Sequence, residues 1–468
     1  MSSIVRKKHG QGNRKRKVNE TSKNKSGDLN NKISKKYKRD NDDDSIASSD
    51  EEFAEENYKK LEAKGRAADF ESDDEQETAE ERRVKLAKLH LSKLKAEVQT
   101  GDQDDVEDIV ARRLQEEYLE EKGRLKKTVA SHYTGHEDLI DLKCKNHRDS
   151  ITCLCVSSNG KFLYSGSKDG TIIKCKCKLR RKKIHVIGAK KNNKEAKSIL
   201  CMAVSSDDKF FTVGQAKSND IKVYNPDNLT LIKNLTKHRG SVTGLAFRRD
   251  THTLYSASED RSVNVWNLDD MAYVESLFGH QSPITSIDAM TQERCITSGG
   301  YDRSIRLWKI VQESQLIFND VESSSSVDSV KFINDQHFLS CGDNGQLCLW
   351  NVMKKTPKYS LAPAHGVDAT NGEPMWITSI AALLNTDLVA SGSRDGNVKL
   401  WHCEDSFKSL KLLFEVKISG FINSLVFTPD GKNLIVGVGQ EHKAGRWWRI
   451  PEAKNRVIII PLTKNSTK

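Results

Sequence analysis

Trp266, Trp308 and Trp350 stand 42 residues apart. Two of them close runs in which polar and apolar residues alternate, Ser262-Val263-Asn264-Val265-Trp266 and Ser304-Ile305-Arg306-Leu307-Trp308. Alternation with a period of two marks a half-buried strand. The frame extends to Cys175, Tyr224, Trp401 and Trp447, with successive intervals of 49, 42, 42, 42, 51 and 46 residues. Six residues before the aromatic stands Asp260, Asp302 or Asp395, and 28 before it stands His238 or His280. A unit of this length holds about four short strands and cannot bury both faces of its own sheet, so units must stack on one another. Seven such units predict an all-β chain folded as a seven-bladed β-propeller over residues 137–462.

The period, with His and Asp at fixed offsets from Trp, resembles WD40 repeats. That resemblance implies a buried network in which His and Asp bond a strand Ser or Thr and the Trp indole, as scaffold rather than catalyst. It implies that the Trp ends an inner strand. The full set is legible in two units, His238/Asp260/Trp266 and His280/Asp302/Trp308. His147 and Asp169 occur in the first unit, where Cys175 replaces Trp. In the fifth unit Glu322 and Asn344 take the His and Asp positions, and no Trp is followed by Asp. Residues 139–142 and 457–460 both read as the outer strand of the last blade, with room for one of them.

Charge divides the remainder of the chain. Residues 1–39 carry 14 Lys/Arg against 2 Asp/Glu, and residues 40–56 carry 9 acids and no base. Blocks of like charge with few aromatics predict a disordered tail over 1–75. Its clusters Arg14, Lys15, Arg16, Lys17 and Lys35, Lys36, Lys38, Arg39 resemble nuclear-import signals. Ser48, Ser49 and Ser72 lie beside carboxylates and are candidate phosphosites for an acid-directed kinase. A helical segment is predicted over 76–130. One helix starts at the capping box Thr78-x-x-Glu81 and presents Val84, Ala87, Leu91, Leu94 and Val98. A second runs from about Asp104 to Lys122, with Val106, Ile109, Val110, Leu114 and Tyr118 on one face. Neither has mass for its own core, so both should dock on the propeller or on a partner. Residues 463–468 form a short tail.

No apolar stretch reaches the ~18–20 residues of a membrane span, and the basic N-terminus lacks a secretory apolar region. The ten cysteines form no CxxC pair and suit reduced thiols. Nucleotide-loop, zinc-protease, hydrolase-elbow and zinc-finger spacings are absent. The sequence therefore points to a binding protein with no cofactor, no metal and no small-molecule substrate. Its clearest surface signal is residues 174–197, with eleven bases and one acid. Lys174, Lys176, Lys178, Arg180, Arg181, Lys182, Lys183, Lys190, Lys191, Lys194 and Lys197 read as an inserted cationic loop suited to RNA phosphates. A second set, Lys168, Arg261, Arg303, Arg394, Lys443 and Arg446, lies on turns just before repeat strands and should converge on one rim. His365 and Trp376 fall in a second insertion, 357–377, the Trp as an exposed anchor or a strand start.

Longer strings narrow the resemblance. ETAEERRVKLAKLHLSKL (77–94), VARRLQEEYLEEKGRLKKTVA (110–130), LAFRRDTHTLYSASEDRSVNVWN (245–267), YVESLFGHQ (273–281), AALLNTDLVASGS (381–393) and GFINSLVF (420–427) with VGVGQEHKAGRWWRI (436–450) are similar to the U3-specific WD-repeat family of the U3 small nucleolar ribonucleoprotein. The resemblance covers about residues 76 to 462. It implies a nucleolar protein that associates with U3 snoRNA at its box B/C motif, beside the kink-turn-binding protein of box C/D particles. It also implies a single copy in the small-subunit processome, which releases 18S rRNA from its precursor. Two other propeller classes are alternatives. A ubiquitin-ligase substrate receptor usually shows WDxR-type strand ends, but here they read Trp266-Asn267, Trp308-Lys309 and Trp401-His402. A chromatin reader would need an acidic or aromatic channel mouth.

Overall fold

The computed structural model describes residues 84–89, 92, 103–121, 125–142, 147–177, 183–187, 197–319, 325–368, 371–404, 406–445 and 448–465. The tail clusters Arg14 to Arg39, Ser48, Ser49, Ser72 and the Thr78 capping box lie outside the described residues, as do Arg180, Arg181, Lys182, Lys190, Lys191, Lys194, Arg446 and Trp447.

Seven antiparallel sheets follow one another along the chain. Blades one to six cover residues 151–187, 199–236, 242–278, 286–319, 327–361 and 377–417, and the seventh is built on 421–464. In each, the first strand packs on the first strands of both neighbouring blades, and the seventh returns to the first. These strands line the channel, and apolar clusters fill the wedges between blades, as with Trp266, Val242 and Val223 or Phe318, Phe338 and Trp350. The repeat Trp sits on the third strand of its blade, as in Ser262–Asn267, rather than on the inner strand expected for it. Its indole lies in the wedge, 2% exposed at Trp266, clustered with Val223 of blade two and Val242 of its own blade.

The ring closes in a way the sequence reading did not allow. Both candidate outer strands are used. Arg456–Lys464 is the third strand of blade seven, paired with Asn433–Gly439. Tyr133–His136 and Ile140–Leu142 both pair with it from outside. The propeller therefore spans 133–464 rather than 137–462. In register, Leu434 faces Ile460 as Leu254 faces Trp266. Ile460, not Trp447, thus holds the repeat position of the last unit. Residues 440–455 are an insertion between its second and third strands.

The approach to the closing strand is also fixed. Asp387 Oδ1 accepts the Val129 and Ala130 amides at 2.7 and 2.9 Å. The Tyr133 hydroxyl donates to the Gly431 carbonyl at 2.7 Å. Residues 125–129 lie outside any helix, with a bridge from Lys127 to Thr386, and a 3-10 turn follows at Ala130–His132. Upstream, Gln103–Glu121 is helical as predicted, and residues 84–89 are helical with Val84, Leu86 and Leu89 exposed. Val110 is buried and Leu114 half-buried, but Tyr118 is exposed and leaves the expected apolar face. Among the described residues no helix is long and apolar enough to cross a membrane.

On the face bearing the turns between first and second strands, His252 joins blades two and three. Its Nε2 lies 2.8 Å from Asp207 and its Nδ1 2.5 Å from Asp269. Burial alone would lower the imidazole's pKa, but the two carboxylates outweigh it and raise it. Asp207 is pulled below its usual range by bonds from Ser205, His252 and Lys209 that outweigh its own burial. The His252 contribution is full below its unfolded value of ~6.5 and is lost as pH rises through the raised folded value. The Asp207 contribution is present above ~3.9 and lost as pH falls. His252→Gln should cost about 1 kcal/mol at pH 6, the scale of part-exposed pairs, and less at pH 9. Urea melts at the two pH values check this, and an equal cost at both would refute it.

Candidate nucleic-acid interface

The turns between second and third strands all lie on one rim, called here the upper face. Buried networks hold them. His238 Nδ1 is 2.9 Å from Asp260, and the Ser256 hydroxyl is 2.7 Å from His238 Nε2 and accepts the Trp266 indole N–H at 2.8 Å. Blade four repeats this with His280, Asp302, Thr297 and Trp308, at 2.7, 2.7 and 2.8 Å. Blade six completes a third set. His365 is 2.8 Å from both Asp395 and Ser391, and Ser391 takes the Trp401 indole at 2.8 Å. His365 is thus a repeat histidine, buried at 5% exposure, placed 36 rather than 28 residues before its Trp by the intervening insertion. The Asp395 to Trp401 spacing was the available signal.

In blade one, His147 reaches Asp169 through the Thr171 hydroxyl, at 2.6 and 2.5 Å, and Cys175 leaves Ser165 without an indole donor. In blade five, Trp350 bonds Ser340 at 2.8 Å with no histidine in reach among the described residues. Burial would raise the Asp260 carboxyl, but bonds from His238, Ser262 and the Arg239 amide hold it below the usual carboxylate range. A carboxylate so held clamps its turn, and the residues beside it take fixed directions.

Those directions split the predicted basic set in two. Lys168 and Arg394 precede their aspartates and point inward. Lys168 Nζ donates to the Gly445 carbonyl at 2.8 Å and pairs with Glu441 at 3.5 Å. Arg394 pairs with Asp368 and lies 4.2 Å from the Trp448 ring centroid. Both hold the 440–455 insertion across the upper mouth of the channel. His442 is buried there at 1% exposure, 4.1 Å from the Trp376 ring. Burial, then Lys443 and Lys168, push His442 down to about 3, so it is neutral. Trp376, the other expected anchor, is half-buried and donates to Asp328 at 2.6 Å. Lys443 lies among these groups and contributes to the field at Asp328. Arg261 and Arg303 instead follow their aspartates, are exposed, and make no ion pair among the described residues.

The basic segment 174–197 is not a single loop. Ile172–Lys176 is the third strand of blade one and Lys183–Ile187 its fourth. The end of the third strand at Lys176 and the start of the fourth at Lys183 lie at one face of the ring, and the end of the fourth at Ile187 lies at the other. Lys174 is 3% exposed and donates to the Pro226 carbonyl at 2.7 Å, 4.1 Å from the Phe162 ring centroid. Burial lowers its pKa, and it does not face solvent. Lys197 is exposed. The lower mouth of the channel is open as a cavity of about 550 Å³ lined by Phe247, Arg249, Asp288, Phe332 and Phe427.

A closed ring of seven antiparallel sheets with its aspartates locked in His–Ser/Thr–Trp networks defines a WD-repeat β-propeller. The WD domain, G-beta repeat family matches residues 130–173, 229–267, 272–309, 315–351 and 367–402. The chain is 48% identical to the Homo sapiens "U3 small nucleolar RNA-interacting protein 2" over 403 residues, 83% of each chain. It is 26% identical to the Saccharomyces cerevisiae "Ribosomal RNA-processing protein 9", over 87% of this chain and 91% of that one. A crystal structure of the RRP9 WD40 repeats superposes with a TM-score of 0.67 at 45% identity, covering 71% of this chain and 99% of that one. The chain belongs to the U3 small nucleolar RNA-interacting WD-repeat family.

Proposed function

We propose that this chain is a non-catalytic component of the U3 small nucleolar ribonucleoprotein and of the small-subunit processome. It associates with U3 snoRNA at the box B/C region, beside the kink-turn-binding protein, and acts in 18S pre-rRNA maturation in the nucleolus. The observation that carries this reading is the 48% identity to a U3 small nucleolar RNA-interacting protein over most of both chains. The surface supports it. Arg261, Arg303 and Lys197 are exposed, and the segment around Lys182 to Lys191 adds charge that attracts phosphates without reading sequence. A rigid ring suits recognition of a folded, protein-bound RNA by shape and backbone.

Ultraviolet crosslinking of the tagged protein in cells, followed by sequencing of attached RNA, tests the reading. Reads concentrated on U3 snoRNA are expected. Absence of U3 from the purified complexes would overturn the assignment. Replacing Lys182, Lys183, Lys190 and Lys191 with Glu should lower affinity for U3 RNA by roughly 10²-fold at low salt and flatten its salt dependence. The melting midpoint should not move. Unchanged affinity and slope would remove this segment from the interface.

A further inference from the structure

Two arginines on the upper rim occupy a backbone conformation that suits glycine. Three other blades place glycine at this turn position, Gly170, Gly345 and Gly396, with φ of 76°, 68° and 78°. Blades three and four place Arg261 and Arg303 there, at φ 70° and 58°. A long side chain in the left-handed region is unfavourable where glycine is at ease. The clamped turns hold both backbones, with the Arg261 amide on the Ser258 carbonyl at 3.2 Å and the Arg303 amide on the Gly300 carbonyl at 3.1 Å, while both side chains extend into solvent.

Two aromatic rings lie beside them. Phe278 is 72% and Tyr301 81% exposed. Neither ring meets another ring or a cation among the described residues, whereas Tyr273 on the same edge carries Lys237 at 4.5 Å. The strand register joins the four. Phe278 pairs with Ser262, the residue after Arg261. Two residues beyond Phe278, about 7 Å of extended chain, His280 Nδ1 meets Asp302 at 2.7 Å, and the Gln281 amide meets Asp302 at 3.2 Å. Tyr301 and Arg303 flank that aspartate. Arg261, Phe278, Tyr301 and Arg303 therefore form one strip across the boundary of blades three and four. Exposed Arg239 borders it, with Glu259 as a neighbouring acid.

We propose that this strip binds a single-stranded RNA segment, with bases stacked on Phe278 and Tyr301 and phosphates held by Arg261 and Arg303. Alternating cations and unpartnered aromatic planes are the chemistry of sequence-tolerant single-strand binding. A duplex would satisfy the arginines and leave the rings unused. The inference rests on the RNA-binding reading above, and it adds a contact surface apart from the 174–197 segment.

The test uses the full chain, a fluorescein-labelled mixed-sequence RNA 20-mer, and its duplex as competitor, titrated from low to physiological salt. Arg261→Gly with Arg303→Gly should weaken binding about tenfold and reduce the salt slope by about 1.4, two single-strand phosphates' worth. Their melting midpoint should hold or rise, because glycine is at ease in these turns. Phe278→Ala and Tyr301→Ala should each weaken binding roughly 5- to 150-fold with the salt slope unchanged. The duplex should compete poorly. Wild-type affinity in all these variants, while the Lys182/Lys183/Lys190/Lys191→Glu protein loses RNA, would overturn the strip and leave the RNA reading standing. No RNA binding by the wild-type chain would overturn both. Loss of a co-purifying protein from the variants with RNA affinity intact would assign the strip to a protein partner and overturn the proposal.

Discussion

A chain truncated to begin at residue 143 should lose cooperative unfolding altogether. Its last blade would keep three strands and expose the outer edge of Arg456–Lys464. Tyr133, Leu142 and Ala130 are all buried in the intact ring, and each large apolar side chain is worth ~1.5–3 kcal/mol of burial. The strand bonds and the Asp387 anchor go with them, leaving buried groups unpaired. The combined cost, roughly 5–8 kcal/mol, approaches the whole stability of a typical domain. Differential scanning calorimetry of the truncated and full chains checks this. A sharp transition within a few degrees of the full chain would show that blades one to seven close without residues 133–142. The paired substitution Ile140→Asp and Leu142→Asp should produce a smaller loss in the same direction, which separates closure from mere length.

Trp266→Ala should destabilise the ring by ~3–5 kcal/mol, the range for large-to-small core changes involving Trp. The indole is 2% exposed and packs in the cluster with Val242, Leu245 and Leu254. It also donates to Ser256, which is shared with His238. Trp266→Phe should retain most of the packing and lose the donor, at about 1 kcal/mol. Chemical denaturation of the three proteins measures both. A cost below 1 kcal/mol for Ala would mean that this wedge can collapse around the gap, and would refute the role given to the Trp. Cys175 fills the equivalent place in blade one beside the same histidine arrangement, so its replacement by Ala should cost far less.

Much of this fold was legible in the residues. Strand alternation is a local property, and the 42-residue interval between tryptophans repeats a unit that cannot fold alone, so blade number and architecture follow from spacing. The His–Asp–Ser/Thr–Trp networks of blades three and four followed from fixed offsets. Similarity of long strings placed the family, and the curated relatives bear it out. Where spacing was broken by insertions, the reading failed. Trp447 was given a place that belongs to Ile460, because counting along the chain cannot tell an insertion from a repeat. His365 was missed for the same reason.

What only the tertiary structure decided was direction and closure. Lys168 and Arg394 look like Arg261 and Arg303 in sequence, yet standing one residue before rather than one after a clamped aspartate sends the first pair inward against the 440–455 insertion and the second pair into solvent. Lys174 reads as one cation of a basic run and is buried, because its strand packs beside blade two and its amine meets the Pro226 and Asp227 carbonyls there. The pairing of 133–142 with 456–464 joins segments more than 300 residues apart; alternation marked 139–142 and 457–460 as strands of the last blade, but only the closed ring shows that they pair with each other. Composition and period determine which strands form. The ring alone determines which of their charges a partner can reach.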